Sequence, residues 1–254
     1  RPTLAAGPEQ ARAHLDRLEK QNVRHVICDT LDEADLTVLA ATLAQSALVT
    51  GGSGLGQALP AEYRRLGWLE NVDNAGQLAP ASGASLILSG SCSRATLAQV
   101  EHFLSRFEGF ALDPIALADS DDQITEALAF ARDRLSRTDP VLIYASATPD
   151  KVKQAQEQLG VAAAGERVER ALARLAKELV AEGVGKLLVA GGETSGAVVS
   201  ALGISTLRIG EQIDPGVPWT QTHLPGRETP LSLALKSGNF GEVDFFSRAF
   251  EVLS

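Results

Sequence analysis

Methionine is absent from the 254-residue chain, which begins at Arg1. We therefore expect that the chain begins partway through a longer protein, that methionines were omitted from the sequence, or both. Cysteine is scarce as well: Cys28 and Cys92 lie far apart, and with four scattered histidines they form no metal-binding spacing. The sequence therefore predicts no metal site built from protein side chains and favours a reduced, cytoplasmic protein.

Positive charge and long apolar stretches are also in short supply. Lys and Arg number 23 against 32 Asp and Glu, a net charge of −9, which argues against general binding to nucleic acid or anionic membranes. No apolar stretch is long enough to span a bilayer, and the first residues do not resemble a signal peptide. With 44% hydrophobic residues, the chain can form one large core or two modest ones.

What the chain does contain is an alternation of short apolar runs with amphipathic segments. The runs predict strands at 23–28, 46–50, 85–88, 110–112, 141–144, 187–190, 206–209 and 231–235. The amphipathic segments predict helices at 9–20, 97–107, 121–136, 166–182 and 243–253. We expect the proline-rich segment 214–219 to be irregular and the polar segment 70–84 to be a linker. This order predicts an α/β protein with mainly parallel sheets flanked by helices, divided into domains at 1–72 and 73–254.

An acidic run, Asp32, Glu33 and Asp35, precedes another helical pattern that extends to about Gln45. Carboxylates in a first helical turn oppose the positive end of the helix dipole. We favour this role over a pair of catalytic carboxylates.

The stretch GGETSG at 191–196 joins a predicted strand to a helical pattern. Paired glycines at such a corner can present backbone N–H groups to an anion, and Thr194 and Ser195 add hydroxyl groups. Glu193 would repel a phosphate, so it could instead cap the helix, face a metal ion or bind a sugar or base hydroxyl. A Walker A motif is excluded because Ala197 and Val198 replace its Lys and Ser/Thr, and no G-x-G-x-x-G occurs. A corner that binds no ligand is an equally good interpretation of this stretch alone.

Similar corners follow other predicted strands, with the sequences GGSGLG at 51–56, SGSCSRAT at 89–96 and KSGNFG at 236–241. In open parallel sheets, such corners gather at the carboxyl edge, where ligands bind. Lys236 could supply a cation, with Ser237 and Asn239 as hydrogen-bonding groups for a nucleotide phosphate; alternatively, Lys236 is a solvated strand end. Ser91 or Ser93 could either contact the ligand or only cap a helix.

The segments GGSGLGQALP, LSGSCSRAT, VAGGETSGAVVSALG, IDPGVPWT and LALKSGNFGEVDFF, in this order, resemble the four-carbon acid sugar kinases. The resemblance runs from about Cys28 to the C-terminus and includes the 3-oxo-tetronate, D-threonate and D-erythronate kinases. It implies that the protein uses ATP and Mg²⁺ to phosphorylate the terminal hydroxyl of a four-carbon acid sugar such as 3-oxo-tetronate. D-threonate and D-erythronate are alternative substrates, and a nucleotide-binding module without turnover is an alternative of another class.

The resemblance also implies how the chain is organised. Residues 1–72 resemble the end of a sugar-acid-binding domain, and 73–254 resemble a whole nucleotide-binding domain. The acidic sugar-binding motif is absent from this sequence, so the catalytic base is unknown. The sequence does not indicate an oligomeric state, and a homodimer is one of the possibilities.

Specific residues follow from the resemblance and from the corner chemistry. The loop at 51–56 is expected near an interdomain cleft, through Gly52, Ser53 and Gly54. The predicted ATP-binding residues are Ser91, Ser93, Gly191, Gly192, Glu193, Thr194, Ser195, Lys236, Gly238 and Asn239.

Overall fold

The computed structural model describes residues 2–253, which form two compact units divided between Asn74 and Ala75. The first unit contains four helices in its described residues. They are α1 (Pro2–Ala5), α2 (Pro8–Lys20), α3 (Glu33–Leu43) and α4 (Ser53–Arg65). Its small core is formed by Leu4, Ala11, Leu39, Ala40 and Leu55. Trp68, beyond α4, is 59% exposed and lies against Tyr63, with ring centroids 5.9 Å apart.

The acidic run behaves as expected for a helix start. The Asp32 carboxylate accepts a hydrogen bond from the Asp35 N–H at 2.9 Å, and Asp35 in turn accepts one from the Leu31 N–H at 3.1 Å. The predicted N-terminal role is therefore confirmed, because the Asp32 bond satisfies an N–H group that the helix itself leaves unpaired.

The two strands predicted in the first unit are wrong. Residues 23–30 and 48–52 have no regular secondary structure, and no strand occurs among described residues 2–74 to pair with them. Ile27 is 91% exposed and Leu48 is 82% exposed. An apolar run becomes a strand only where a neighbouring chain segment accepts its backbone hydrogen bonds.

The GGSGLG segment was predicted to be a loop, but much of it is helical. Helix α4 begins at Ser53 with Gly52 as its N-cap, so Gly54 and Gly56 lie in its first turns. The placement of Gly52, Ser53 and Gly54 near a cleft stays a prediction.

The second unit is built on a seven-stranded sheet. Its strands are β1 (Ala84–Ser89), β2 (Gly109–Ala111), β3 (Val141–Tyr144), β4 (Val184–Ala190), β5 (Arg208–Asp214), β6 (Val217–Thr222) and β7 (Leu231–Lys236). The order is β2-β3-β1-β4-β7-β6-β5, in which the first five strands are parallel, and β6 is antiparallel to both of its neighbours, β7 and β5. The predicted fold class is therefore confirmed.

Helices cover both faces of this sheet. They are α5 (Arg94–Leu104), α6 (Ala116–Asp119), α7 (Asp122–Arg132), α8 (Pro149–Leu159), α9 (Val161–Ala181), α10 (Gly192–Ala201) and α11 (Phe245–Arg248), followed by a 3₁₀ helix at Ala249–Leu253. In the central strand β4, Leu187 and Val189 pack into one core with α9, and Leu188 and Ala190 pack into the core on the opposite face. A strand buried on both faces explains the continuous apolar run of its sequence. None of the helices within residues 2–253 combines the length and the hydropathy that a membrane-spanning segment needs.

The segment 214–219 is regular, contrary to prediction. It joins β5 to β6 through a turn in which Gly216 has φ +81°, a conformation that glycine adopts without strain. Pro218 pairs with Gln212 next to a register shift, where the missing proline N–H is tolerated. Trp219, 1% exposed, fixes the hairpin by donating from Nε1 to the Ala249 carbonyl at 2.7 Å.

Candidate functional site

The candidate site lies where three adjacent parallel strands end. Register pairs Ser89 of β1 with Ala190 of β4, and Ala190 with Lys236 of β7, so the three following loops start at one edge. Main-chain bonds join these loops: Gly90 and Ser91 donate to the Ala190 carbonyl at 3.0 and 3.2 Å. In the same way, the Gly191 N–H donates to the Lys236 carbonyl at 2.8 Å.

Thr194 is packed against two of the glycines at this edge. A Cβ atom on Gly90 would overlap the Thr194 Oγ1, and one on Gly191 would lie 2.9 Å from it. Gly191 also has φ +130°, which side chains rarely tolerate. Thr194 is 4% exposed. It therefore holds the start of α10 against the ends of β1 and β4, a steric role that its place in a hydroxyl-rich loop did not suggest.

The first turn of α10 is open. No side chain caps it, and a Cβ at Gly192 would have no neighbour within 4 Å. Ser195 is 8% exposed, yet its hydroxyl has no hydrogen-bond partner within the described part of the chain. Uncapped helical N–H groups with a buried, unpartnered hydroxyl are arranged as an anion site would require.

Glu193 is exposed and lies near acidic residues of α9. Burial raises the pKa of Glu169 above its ordinary value, and the negative charges of Glu193 and Glu166 raise that pKa further. One side of the loop after β4 therefore has a surplus of negative charge.

The serines of the loop after β1 cap a helix and contact the loop after β7, and their contact with a ligand stays a prediction. Ser93 caps α5, since its Oγ accepts from the Thr96 N–H at 3.2 Å, and the same Oγ lies 2.5 Å from the carbonyl oxygen of Gly238. Ser91 Oγ accepts from the Ser93 N–H at 3.2 Å. A Cβ on Gly238 would lie 2.7 Å from Ser91 Oγ, so the loops after β1 and β7 touch closely.

Lys236 is 0% exposed, so the alternative of a solvated strand end is wrong. Its Nζ donates to Thr96 Oγ1 at 3.0 Å and to the carbonyls of Ser237 and Gly238 at 3.2 and 3.1 Å. Burial lowers the pKa of Lys236 to about 8. Direct contact of this ammonium with a phosphate stays a prediction; in the structure, its three N–H bonds face protein oxygens.

Gln99 is a site residue that the sequence analysis missed. It is 0% exposed, and its Nε2 lies 3.1, 2.8 and 2.9 Å from the carbonyl oxygens of Phe240, Gly241 and Glu242. The Glu242 N–H donates to Asp214 Oδ2 at 3.1 Å. The one available signal was a glutamine on the apolar face of an amphipathic helix.

Two other polar residues near the edge face solvent: Asn239 of the predicted set, and Cys92 between the two serines. The Cys92 Sγ accepts from the Ala147 N–H at 3.4 Å. The structure therefore brings together the backbone of the three loops, the serines, Thr194 and Lys236, while the Asn239 side chain stays outside this cluster.

Glycine loops at the carboxyl edge of a parallel sheet, followed by a helix start without a side-chain cap, define an α/β domain of the nucleotide-binding class. Residues 86–246 match the family described as a nucleotide-binding C-terminal domain, and residues 1–59 match a sugar-binding N-terminal domain. The chain therefore belongs to the family that combines these two domains. The resemblance to the four-carbon acid sugar kinases is confirmed by these matches and by the curated relatives.

Curated relatives include 3-oxo-tetronate kinases. The chain is 51% identical over 251 residues to that of Burkholderia multivorans and 47% identical over 253 residues to that of Pseudomonas fluorescens. Each match covers 99% of this chain but only 58% and 57% of the respective relative. The chain thus spans less than two thirds of their length.

Solved structures share the fold. A Haemophilus influenzae protein matches with TM-score 0.77 and 36% identity, over 100% of this chain and 59% of that one. A Salmonella typhimurium LT2 protein matches with TM-score 0.80 and 36% identity, over 98% and 57%. A Bordetella bronchiseptica protein, crystallised as a domain-swapped dimer with bound citrate, matches with TM-score 0.55 and 26% identity, over 95% and 56%.

Proposed function

We propose that the protein is an ATP-dependent kinase that phosphorylates the terminal 4-hydroxyl of a four-carbon acid sugar, with 3-oxo-tetronate as the first candidate. The observation that carries this proposal is the 51% identity to a 3-oxo-tetronate kinase over nearly the whole chain. D-threonate and D-erythronate are the alternative acceptors, since the residues that choose among them are not assigned in this chain.

The edge of the sheet fits the phosphates of a nucleotide. Open space at Gly192 lets a ligand approach the backbone, and the uncapped first turn of α10 offers N–H donors. The unpartnered Ser195 hydroxyl adds a further hydrogen-bonding group. ATP would therefore be held by the loop from Gly191 to Ser195, with Ser91, Ser93 and Gly238 lining the same edge.

Mg²⁺ is expected to enter with the ATP phosphates and to neutralise their charge during transfer. Glu193 is the residue we assign to the metal or to the ribose, because its carboxylate is exposed in the first turn of α10, beside the proposed phosphate position. The chain's own contribution is to hold the phosphates in line with the acceptor hydroxyl and to exclude water. We assign no residue of this chain as the base for that hydroxyl.

The bound citrate of the Bordetella bronchiseptica relative supports an acidic small-molecule substrate, and its domain-swapped dimer supports a homodimer here. Free Cys28 and Cys92 are in keeping with a cytoplasmic location.

The activity is tested by incubating the full-length protein with ATP and Mg²⁺ and each of the three acids, and following ADP release. We expect turnover on at least one acid. ATP binding without turnover on any of them would support the non-catalytic binding module instead.

The site is tested with Gly192→Val. Because nothing lies within 4 Å of the new Cβ, the fold should be retained, while the side chain enters the proposed phosphate position. We expect ATP affinity to fall about tenfold or more by calorimetric titration. An unchanged affinity in this variant would remove the loop from the site.

A further inference from the structure

Lys236 occupies an environment that is unusual for a lysine. Within residues 2–253, its ammonium has only neutral oxygen partners, namely Thr96 Oγ1 and the carbonyls of Ser237 and Gly238. A buried cation without a carboxylate is costly, because no opposite charge offsets its lost hydration. We therefore ask what the buried ammonium does for the loop after β7, whose carbonyls it binds.

The peptide groups next to the ammonium have a fixed orientation. No described peptide bond is cis, so the N–H of each peptide points opposite to its C=O. The carbonyls of Ser237 and Gly238 face the ammonium. The N–H groups of the same two peptides, which belong to Gly238 and Asn239, therefore point away from it.

These two N–H groups are free to bind a ligand. Neither donates to an acceptor among the described residues, Gly238 is partly exposed, and Asn239 is exposed. By contrast, the next N–H along the loop, that of Phe240, donates to the Ser237 carbonyl at 3.2 Å. Successive backbone N–H groups that point to one side make a concave anion site.

We propose that Lys236 is a positioning residue, whose buried ammonium holds the Ser237 and Gly238 carbonyls so that the Gly238 and Asn239 N–H groups face a nucleotide phosphate. This inference rests on the proposed function. The positive charge acts through two aligned peptide dipoles, with the ammonium at their oxygen ends and the anion at their N–H ends. Ser93 and Thr96 hydroxyls lie 2.5 and 2.9 Å from the same Gly238 carbonyl and hold it in place.

The lowered pKa of Lys236, about 8, supplies a pH signature for this arrangement. The groups that face the ammonium are hydroxyls and carbonyls from α5 and the loop after β7, and burial is the sole cause of the shift, so no neighbouring charge titrates with it. Below pH about 8 the ammonium holds both carbonyls. Above it, the neutral amine has one fewer donor and no charge.

The test compares Lys236→Met with Lys177→Met, which removes a charge from an exposed lysine of α9. Both variants are titrated with ATP, inorganic tripolyphosphate and adenosine. We expect Lys236→Met to weaken ATP and tripolyphosphate binding by about tenfold or more, with adenosine affinity unchanged and Lys177→Met like wild type. A folded Lys236→Met that binds ATP as tightly as wild type would overturn the inference.

If Lys236→Met does not fold, the wild-type pH profile decides. Tripolyphosphate and ATP dissociation constants should rise as the pH passes through about 8, while that of adenosine stays level. A flat profile for all three ligands between pH 7 and 9.5, a range from about 1 unit below to about 1.5 units above the lysine pKa, would overturn the inference. ATP binding without kinase turnover would overturn the proposed function alone, whereas a wild type that binds neither ATP nor tripolyphosphate would overturn both.

Discussion

The loops after β4 and β7 follow neighbouring strands of the sheet, yet different interactions hold them in place. The loop after β4 is held by steric fit, with Thr194 against Gly90 and Gly191, and its helix start is left open. The loop after β7 is held by polar bonds from Lys236 and Gln99, which draw its carbonyls inward. One loop thus depends on the absence of side chains and the other on the presence of two buried ones.

The largest effect should come from breaking the steric fit. Gly90→Ala places a Cβ into the Thr194 Oγ1 and 3.1 Å from Leu172 Cδ1, and we expect a loss of about 3 kcal/mol in unfolding free energy from overpacking. Urea denaturation measures it. Gly192→Ala is the matched control, with a change within about 0.5 kcal/mol.

The steric explanation has its own check. Adding Thr194→Ala to Gly90→Ala removes the overlapping oxygen, so the double variant should recover part of the stability. Additive losses in the double variant would count against this account of the loop.

An effect of similar size is expected from the charge under the other loop. The pKa of Lys236 is about 8 in the folded protein, whereas an exposed lysine, as in the unfolded chain, has its ordinary value of 10.5. The unfolded chain therefore holds this proton more tightly, and the cost of burying the charge is fully present below pH about 8. Between pH 8 and 10.5 the folded protein loses the proton first, so stability should rise by about 3 kcal/mol.

Denaturation of wild type and Lys236→Met across this pH range isolates the lysine from other titrating groups. The difference in unfolding free energy between the two proteins should shift in favour of wild type as the pH rises. A difference that is constant with pH would show that the lysine is not buried in its charged form.

A smaller loss is expected when the second polar support is removed. Gln99→Met leaves the carbonyls of Phe240, Gly241 and Glu242 without their side-chain donor, at a cost of about 2 kcal/mol. Hydrogen exchange of loop amides at 240–243 should quicken as well. Gln154→Met, on the exposed side of α8, should change neither quantity.

The smallest effect concerns the charge beside the open loop. Glu193→Gln removes one of the negative charges that raise the pKa of Glu169, so that pKa should move down, as followed by NMR titration. It should stay above its ordinary value, because burial is the larger cause. No movement would mean that the two carboxylates do not sense each other, which would contradict the surplus of negative charge on this side of the loop.

The sequence predicted the fold best where local pattern and tertiary need agreed. Strand β3 was predicted at the observed bounds, 141–144, since a buried parallel strand has a continuous apolar run. The apolar runs at 23–28 and 46–50 were misread because nothing in a single run reports whether a pairing segment exists. The β5–β6 hairpin was not predicted because proline is rare inside strands, and Pro218 therefore favoured an irregular segment. The turn at Gly216 and the buried Trp219 stabilise the hairpin in spite of this proline.

The candidate site was predicted at the level of loops and not of interactions. The corner after each strand was visible from its glycines and hydroxyl residues. The contact of Lys236 with Thr96 joins residues 140 positions apart, and the bonds of Gln99 to the loop after β7 span similar distances. Such pairings arise only when α5 packs beside β7, so no local pattern could reveal that the lysine is buried.

The two tryptophans of the chain are divided between its units in a way that serves spectroscopy. Trp219 is 1% exposed in the sheet unit, and Trp68 is 59% exposed in the helical unit. Indole emission shifts to the red in water, so unfolding of the sheet unit should move the fluorescence maximum strongly, whereas unfolding of the helical unit should barely move it. Comparing this optical signal with far-ultraviolet circular dichroism, which reports helices in both units, would reveal whether the two units melt together or one after the other.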